Sequence, residues 1–173
     1  MRIRSRLLMS AMSGSSSRRP PLKGVVFDMD GTLTIPNLDF GLMYDRCGVA
    51  RDEDILEVVE RMAPSDAARA RGIIEEMEEE GRRTLRLMPG ATEVAAWLGR
   101  HGLKTAIVTR NTRKTVDHLH AALWEPAGLA RFAPAVTRDD AGVAPKPDPE
   151  ALETIAEAWG FGRDEIVMVG DSP

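Results

Sequence analysis

Four short apolar runs, each ending in small, polar or acidic residues, restrict this chain to few architectures. They are Gly24 to Asp28 around Val25, Val26 and Phe27; Leu103 to Thr109 around Ala106, Ile107 and Val108; Ala135 to Thr137; and Ile166 to Gly170 around Val167, Met168 and Val169. Runs of this length, rich in β-branched residues and bounded by glycine or turn formers, predict buried strands. Helical periods lie between the later runs: Val94, Trp97 and Leu98 before Gly102; Val116, Leu119 and Leu123 after a Thr112 cap; and Leu152, Ile155 and Trp159. The last of these is punctuated by Asp148 as N-cap, Pro149 at the first helical position and Gly160 past the end. Strands alternating with helices predict an α/β fold, a parallel sheet covered on both faces.

Residues 36–89 interrupt the alternation. They hold two helical periods, Ile55, Leu56, Val59 and Met62, then Ala70, Ile73, Ile74 and Met77, the second entered through Pro64-Ser65-Asp66 and ended near Gly81. A stretch of this length cannot be a plain loop in a compact domain, so the sequence predicts a small helical insertion packed over the sheet edge. The acids Glu75, Glu76, Glu78, Glu79 and Glu80 read as its wet face. The domain expectation is a core of residues 23–35 and 90–173 with 36–89 inserted as a helical unit.

Charge separates a head from this body. Residues 1–23 carry Arg2, Arg4, Arg6, Arg18, Arg19 and Lys23 with no acid, a balance of +6, which leaves −10 on the remaining 150 residues of a chain whose net charge is −4. An acidic body argues against a nucleic-acid partner. The head, rich in serine and closing on Pro20-Pro21, has the composition of a mitochondrial or chloroplast transit peptide; a solvated tail on a cytoplasmic protein is the alternative. No apolar run reaches the ~18 residues of a membrane span, Arg6 to Met12 being the longest early patch, so no membrane partner is expected. The single cysteine, Cys47, excludes an internal disulfide or a cysteine-based zinc site and reads as a small half-buried apolar residue. His101, His118 and His120 read as exposed helix residues, and Trp97, Trp124 and Trp159 as core.

Ligands of open parallel sheets bind beyond the carboxyl ends of the strands. The first run delivers Asp28-Met29-Asp30-Gly31-Thr32 there, the second Thr109-Arg110-Asn111, and the fourth Gly170-Asp171-Ser172, while Lys146 follows the third within Pro145-Lys146-Pro147-Asp148-Pro149. Three carboxylates at one rim need a counter-charge, and oxygen donors in an open cleft suit Mg²⁺ shared with a substrate phosphate. Asp28, first off its strand, is placed as a carboxylate nucleophile, and Asp30 as the acid for a leaving oxygen and then the base for water. Thr109 can donate to a phosphoryl oxygen and Lys146 can offset the charge on nucleophile and phosphate; Arg110 and Asn111 join them as phosphate-binding candidates. The D-x-D-G-T spacing recurs by chance in about one chain of this size in 10³. Asp39, Tyr44, Arg46 and Arg51 are inserted residues that could face the cleft.

On these motifs, in this order, Lys23 to Pro173 resembles the haloacid dehalogenase superfamily of hydrolases, in particular its phosphatase branch with a small helical cap. The resemblance implies a Rossmann-like sheet with a mobile cap, Asp28 as the nucleophile forming an aspartyl-phosphate, Asp30 as general acid and base, Thr109 and Lys146 as the phosphate-binding pair, and a Mg²⁺ held by Asp28, the Asp30 carbonyl and Asp171. Dehalogenases of the family have no acid at the position of Asp30 and phosphonate hydrolases have a small apolar residue, so a phosphatase or phosphomutase is implied, with motifs similar to phosphoglycolate phosphatases. The implied partner is a small phosphorylated metabolite; neither its identity nor the oligomeric state has a marker in the sequence. In the family a second acid, a glycine-rich helix and a fifth strand follow the Gly170-Asp171-Ser172 segment, whereas this sequence stops at Pro173. The expectation is therefore a shortened chain of weakened activity, with an inactive phosphate-binding or regulatory protein as the alternative.

Overall fold

The computed structural model describes residues 20–171. The basic head up to residue 19 and Ser172, which figured in the expectations above, lie outside them.

The elements run β1 (Gly24–Phe27), α1 (Phe40–Cys47), α2 (Ile55–Arg61), α3 (Pro64–Arg83), α4 (Ala91–Arg100), β2 (Lys104–Val108), α5 (Arg113–Leu119), β3 (Ala135–Val136), α6 (Glu150–Trp159) and β4 (Ile166–Val169). All four strands are parallel, in the order β3-β2-β1-β4. Every residue of β1 is buried, as a central strand with helices on both faces requires. Alternate residues serve the two faces. Val25 and Phe27 join Ile107, Val116, Leu119, Trp124 and Phe132 on one side; Val26 joins Ala106, Val108, Ile155 and Trp159 on the other. The Trp159 ring lies so close over Gly24 that a Cβ there would overlap it.

The expected α/β sheet is thus present, with all four strands within a residue or two of their predicted limits. Thr112 caps α5 by accepting from Thr115 N–H, whereas α6 starts one residue later than expected, at Glu150, with Pro149 rather than Asp148 in the N-cap position, although Asp148 still accepts from Glu150 N–H at 2.9 Å. Four readings of side-chain placement need correcting. β4 is not buried as expected, because it ends the order of described strands and leaves Val167 and Val169 42% and 41% exposed on one face. The buried stripe of α4 is Ala91, Ala95 and Leu98, so Val94 and Trp97 point outward, 49% and 50% exposed, and Trp97 stacks on His101 instead. His120 is buried, because the chain after α5 continues into a π-helical turn, His120–Trp124, that turns the ring inward to accept from Phe132 N–H. Cys47 is fully buried rather than half-buried, among the inserted helices.

The insertion carries its own apolar cluster of Met43, Cys47, Val49, Ile55, Val59, Ala67, Ala70 and Ile74. Helix α1 is unanticipated by the sequence reading, although Asp39 caps it and Gly48 ends it in the left-handed conformation. Its eight residues bury only Met43 and Cys47, too few to show a period. Two chain passages join the insertion to the sheet and pair with each other: Ile35 N–H donates to Arg86 O and Met88 N–H to Leu33 O, both at 2.9 Å. The insertion faces the carboxyl ends of β2 and β3 rather than the sheet edge. Its acids meet bases there, Asp54 with Arg110, Glu78 with Arg138 and Glu79 with Lys114.

Candidate active site

The rim at the carboxyl ends is built first by the turn after β1. Asp28 continues the ladder by donating its N–H to Val169 O at 2.8 Å, and the chain then doubles back, Leu33 and Thr34 N–H both reaching Met29 O. Gly31 sits at φ +75°, and a Cβ on it would overlap the Asp171 carboxylate, so both backbone and space demand glycine. The turn brings Asp30 to the same side as Asp28. Both line a cavity of about 760 Å³ shared with Phe40, Thr109, Arg110, Lys146 and Asp171.

Lys146 Nζ lies 2.5 Å from Asp28 Oδ2, with both side chains largely buried, while Asp28 Oδ1 accepts from Met29 N–H at 2.7 Å. Lys146 is thus the counter-charge in direct contact with Asp28. Asp30 lies in a different setting. Burial, and next the charge of Asp28, raise its pKa above the ordinary value of 3.8 against the hydrogen bonds from Thr34 and Asn111 and the charge of Lys146. Those bonds reach both oxygens, Thr34 Oγ1 to Oδ1 at 3.3 Å and Asn111 Nδ2 to Oδ2 at 2.5 Å. Two carboxylates two residues apart therefore stand in different surroundings, Asp28 against a lysine and Asp30 partly buried with its pKa raised. Thr109 is buried, and its hydroxyl oxygen accepts from Asn111 N–H at 3.0 Å, so the hydroxyl proton is left to donate outward.

Of the residues singled out from sequence, Asp28, Asp30, Thr109, Arg110, Lys146 and Asp171 all meet at this one cavity. Asn111 stands differently from the phosphate contact expected of it, with its amide engaged by Asp30. Among the described residues no three His, Cys, Asp or Glu side chains are grouped to chelate a metal by themselves. Asp28 and Asp171 nonetheless line one open cavity, and carboxylate oxygens with room for water are donors of the kind that suits Mg²⁺.

A second cavity of about 200 Å³ lies between insertion and sheet, lined by Leu38, Phe40, Met43, Tyr44, Ile55, Leu56 and Ile74 with Asp30, Asp54, Glu78, Arg110, Asn111 and Arg138. Of the four inserted candidates, Tyr44 alone is on its wall. Asp39 caps α1, Arg46 pairs with Glu76 and Arg51 with Asp45, all within the insertion. Three residues on this wall were not among the expected site residues. Asp54 caps α2 through Leu56 and Glu57 N–H while also meeting Arg110. Glu78, expected on a wet face, is buried against Arg138, which grips it with two bonds of 2.6 and 3.0 Å. The clues were present: Glu78 falls on the stripe of Ala67, Ala70 and Ile74, and Arg138 leaves the carboxyl end of a strand.

A sequence profile of haloacid dehalogenase-like hydrolases matches residues 22–173. A haloacid dehalogenase-like hydrolase domain-containing protein of Arabidopsis thaliana is 35% identical over 170 residues, 91% of this chain and 66% of that protein. The phosphoglycolate phosphatase of Vibrio cholerae is 26% identical over 177 residues, covering 87% of this chain and 76% of its own length. The chain thus spans about two thirds to three quarters of these curated relatives. The crystal structure of a predicted phosphoglycolate phosphatase from Haemophilus somnus shares the fold with a TM-score of 0.66 at 18% identity, over 87% of this chain and 77% of that one. With the profile running from the residue before Lys23 through every motif of the rim, the chain belongs to the haloacid dehalogenase-like hydrolases.

Proposed function

We propose that this protein hydrolyses a small phosphate monoester through an aspartyl-phosphate on Asp28. The observation that carries the reading is the contrast within one cavity between Asp28, paired with Lys146, and Asp30, partly buried and hydrogen-bonded through both oxygens to Thr34 and Asn111. Asp28 Oδ attacks phosphorus; as the P–O bond to the alcohol breaks, Asp30 gives its proton to the departing oxygen. Asp30 then takes a proton from water, whose oxygen attacks phosphorus and releases Asp28 with inorganic phosphate. Lys146 offsets the charge of nucleophile and phosphoryl group together, and the Thr109 hydroxyl donates to a phosphoryl oxygen. Asp28, Asp171 and the Asp30 carbonyl would hold Mg²⁺, which when bound supplies Lewis-acid stabilisation of the phosphoryl charge. The inserted helices act as a cap, limiting the size of the alcohol and the access of water.

The test is release of inorganic phosphate from an aryl phosphate, with Mg²⁺ and with excess chelator, by the wild type and Asp28→Asn. The expected result is turnover that needs Mg²⁺ and vanishes in the variant, because an amide cannot form the acyl-phosphate. Undiminished turnover in Asp28→Asn would move the nucleophile elsewhere, and equal rates in chelator would remove the metal.

A further inference from the structure

The two cavities meet at a neck. Asp30, Phe40 and Arg110 line both the catalytic cavity and the smaller one beneath the insertion. If the phosphoryl group occupies the first, as the proposed reaction requires, the alcohol part of the ester passes these three residues. Asp30 is committed to the leaving oxygen and Phe40 offers an exposed ring, so Arg110 is the group at the neck able to read charge. Its guanidinium presents five N–H donors and meets Asp54 through one of its terminal nitrogens. Its side chain is 53% exposed. The other arginine of the small cavity is already occupied, since Glu78 takes two donors of Arg138 in a largely buried pair. The remaining wall is mostly apolar, and about 200 Å³ is less than the space a drug-sized ligand takes, so the alcohol is small.

We propose that Arg110 selects esters whose alcohol carries a carboxylate, the substrate anion replacing Asp54 at the guanidinium. This rests on the phosphatase reading above. Asp54 suits the part of a displaceable stand-in, because its Oδ1 is held by the α2 N–H groups while Oδ2 alone faces Arg110. Release of Arg110 therefore leaves the helix cap intact. A planar guanidinium matches a carboxylate in a two-bond fork, which Asp54, tied to its helix, does not form here.

The experiment compares 2-phosphoglycolate with ethyl phosphate, which share a two-carbon alcohol and differ in the carboxylate, for the wild type, Arg110→Gln and Asp54→Asn in Mg²⁺. Arg110→Gln is expected to lower kcat/KM for 2-phosphoglycolate at least tenfold more than for ethyl phosphate. Asp54→Asn keeps the capping oxygen but loses the competing charge, and is expected to lower KM for 2-phosphoglycolate severalfold without the same change for ethyl phosphate. The selectivity ratio is also read from calorimetric binding of the two esters, which needs no turnover. Absence of turnover on both esters would defeat the phosphatase reading, while the binding ratio still judges Arg110. Equal losses on the two esters in Arg110→Gln, or a KM for 2-phosphoglycolate that is unchanged or higher in Asp54→Asn, would overturn the assignment.

Discussion

Replacing Glu78 by leucine removes the acid from a largely buried ion pair and strands a guanidinium. The pair joins α3 of the insertion to the segment leaving β3, with bonds of 2.6 and 3.0 Å and side-chain exposures of 9% for Glu78 and 26% for Arg138. Breaking a fully buried pair from one side costs about 3–5 kcal/mol, because the surviving charge keeps its desolvation without its partner. Arg138 retains a quarter of its side-chain surface in water, so part of that penalty is recovered and about 2 kcal/mol remains. For a chain of this size that corresponds to a fall of about 4–8 °C in Tm. Glu78→Leu with Arg138→Met removes both charges and should return to within about 1 kcal/mol of the wild type, since apolar residues of similar volume commonly replace such pairs without loss. Urea unfolding of the wild type, both single variants and the double variant gives the coupling energy directly. A single-variant loss below about 0.5 kcal/mol, or a double variant as unstable as the two losses added, would refute the argument.

Two further outcomes follow from the same geometry. Gly31→Ala forces an L-residue into φ +75° and drives its Cβ into the Asp171 carboxylate, so it should cost about 1–2 kcal/mol and weaken Mg²⁺ dependence of turnover; wild-type stability and a wild-type Mg²⁺ titration would contradict the close approach. Burial, with the charge of Arg131 next, holds the His120 pKa below 6.5, so the unfolded chain binds the proton first. His120 thus contributes stability that is complete above about pH 6.5 and is lost as pH falls below it, with a slope of up to about 1.4 kcal/mol per pH unit, and unfolding measured from pH 7 to 5 should show a shallower decline in His120→Gln. An identical decline in that variant would place the ring in water.

Legibility from sequence tracked how local each cause is. The strands were readable because β1 buries all its residues and β2 its last three, which leaves continuous apolar runs, and because Gly31, Thr112 and Gly160 mark ends that follow from backbone chemistry. The rim residues were readable because a parallel sheet delivers each strand exit to the same place. Trp97 and His120 were misread because composition says nothing of which side of a helix faces a neighbour; the small residues Ala91 and Ala95 make the stripe of α4, and a π-helical turn rotates His120 inward. Glu78, Asp54 and Arg138 were invisible for another reason. Each is justified by a partner 56 to 60 residues away, or in the case of Asp54 by a local cap as well, and a single sequence carries no record of such pairs.

The division between apolar and ionic contacts says how the site is held together. Within the sheet and within the insertion, packing is apolar and continuous, in three separate clusters of buried side chains. Across the junction between them the contacts are largely charged and consistently signed: Asp54, Glu78 and Glu79 on the insertion face Arg110, Arg138 and Lys114 on the sheet side. Arg82 adds a bond to Thr115 across the same junction and a second partner to Glu79, whose pKa the hydrogen bonds from Arg82 and Lys114 lower to about 2. Apolar burial is non-directional and scales with area, whereas a charged contact depends on distance and on the water excluded around it. Charged contacts made this way set a definite register between insertion and sheet. The cost of parting is concentrated in Glu78–Arg138, the most buried of the three pairs, while Asp54–Arg110 at the neck is exposed enough to exchange one anion for another. Position in the junction thus separates the pair suited to fix the insertion from the pair suited to meet a substrate.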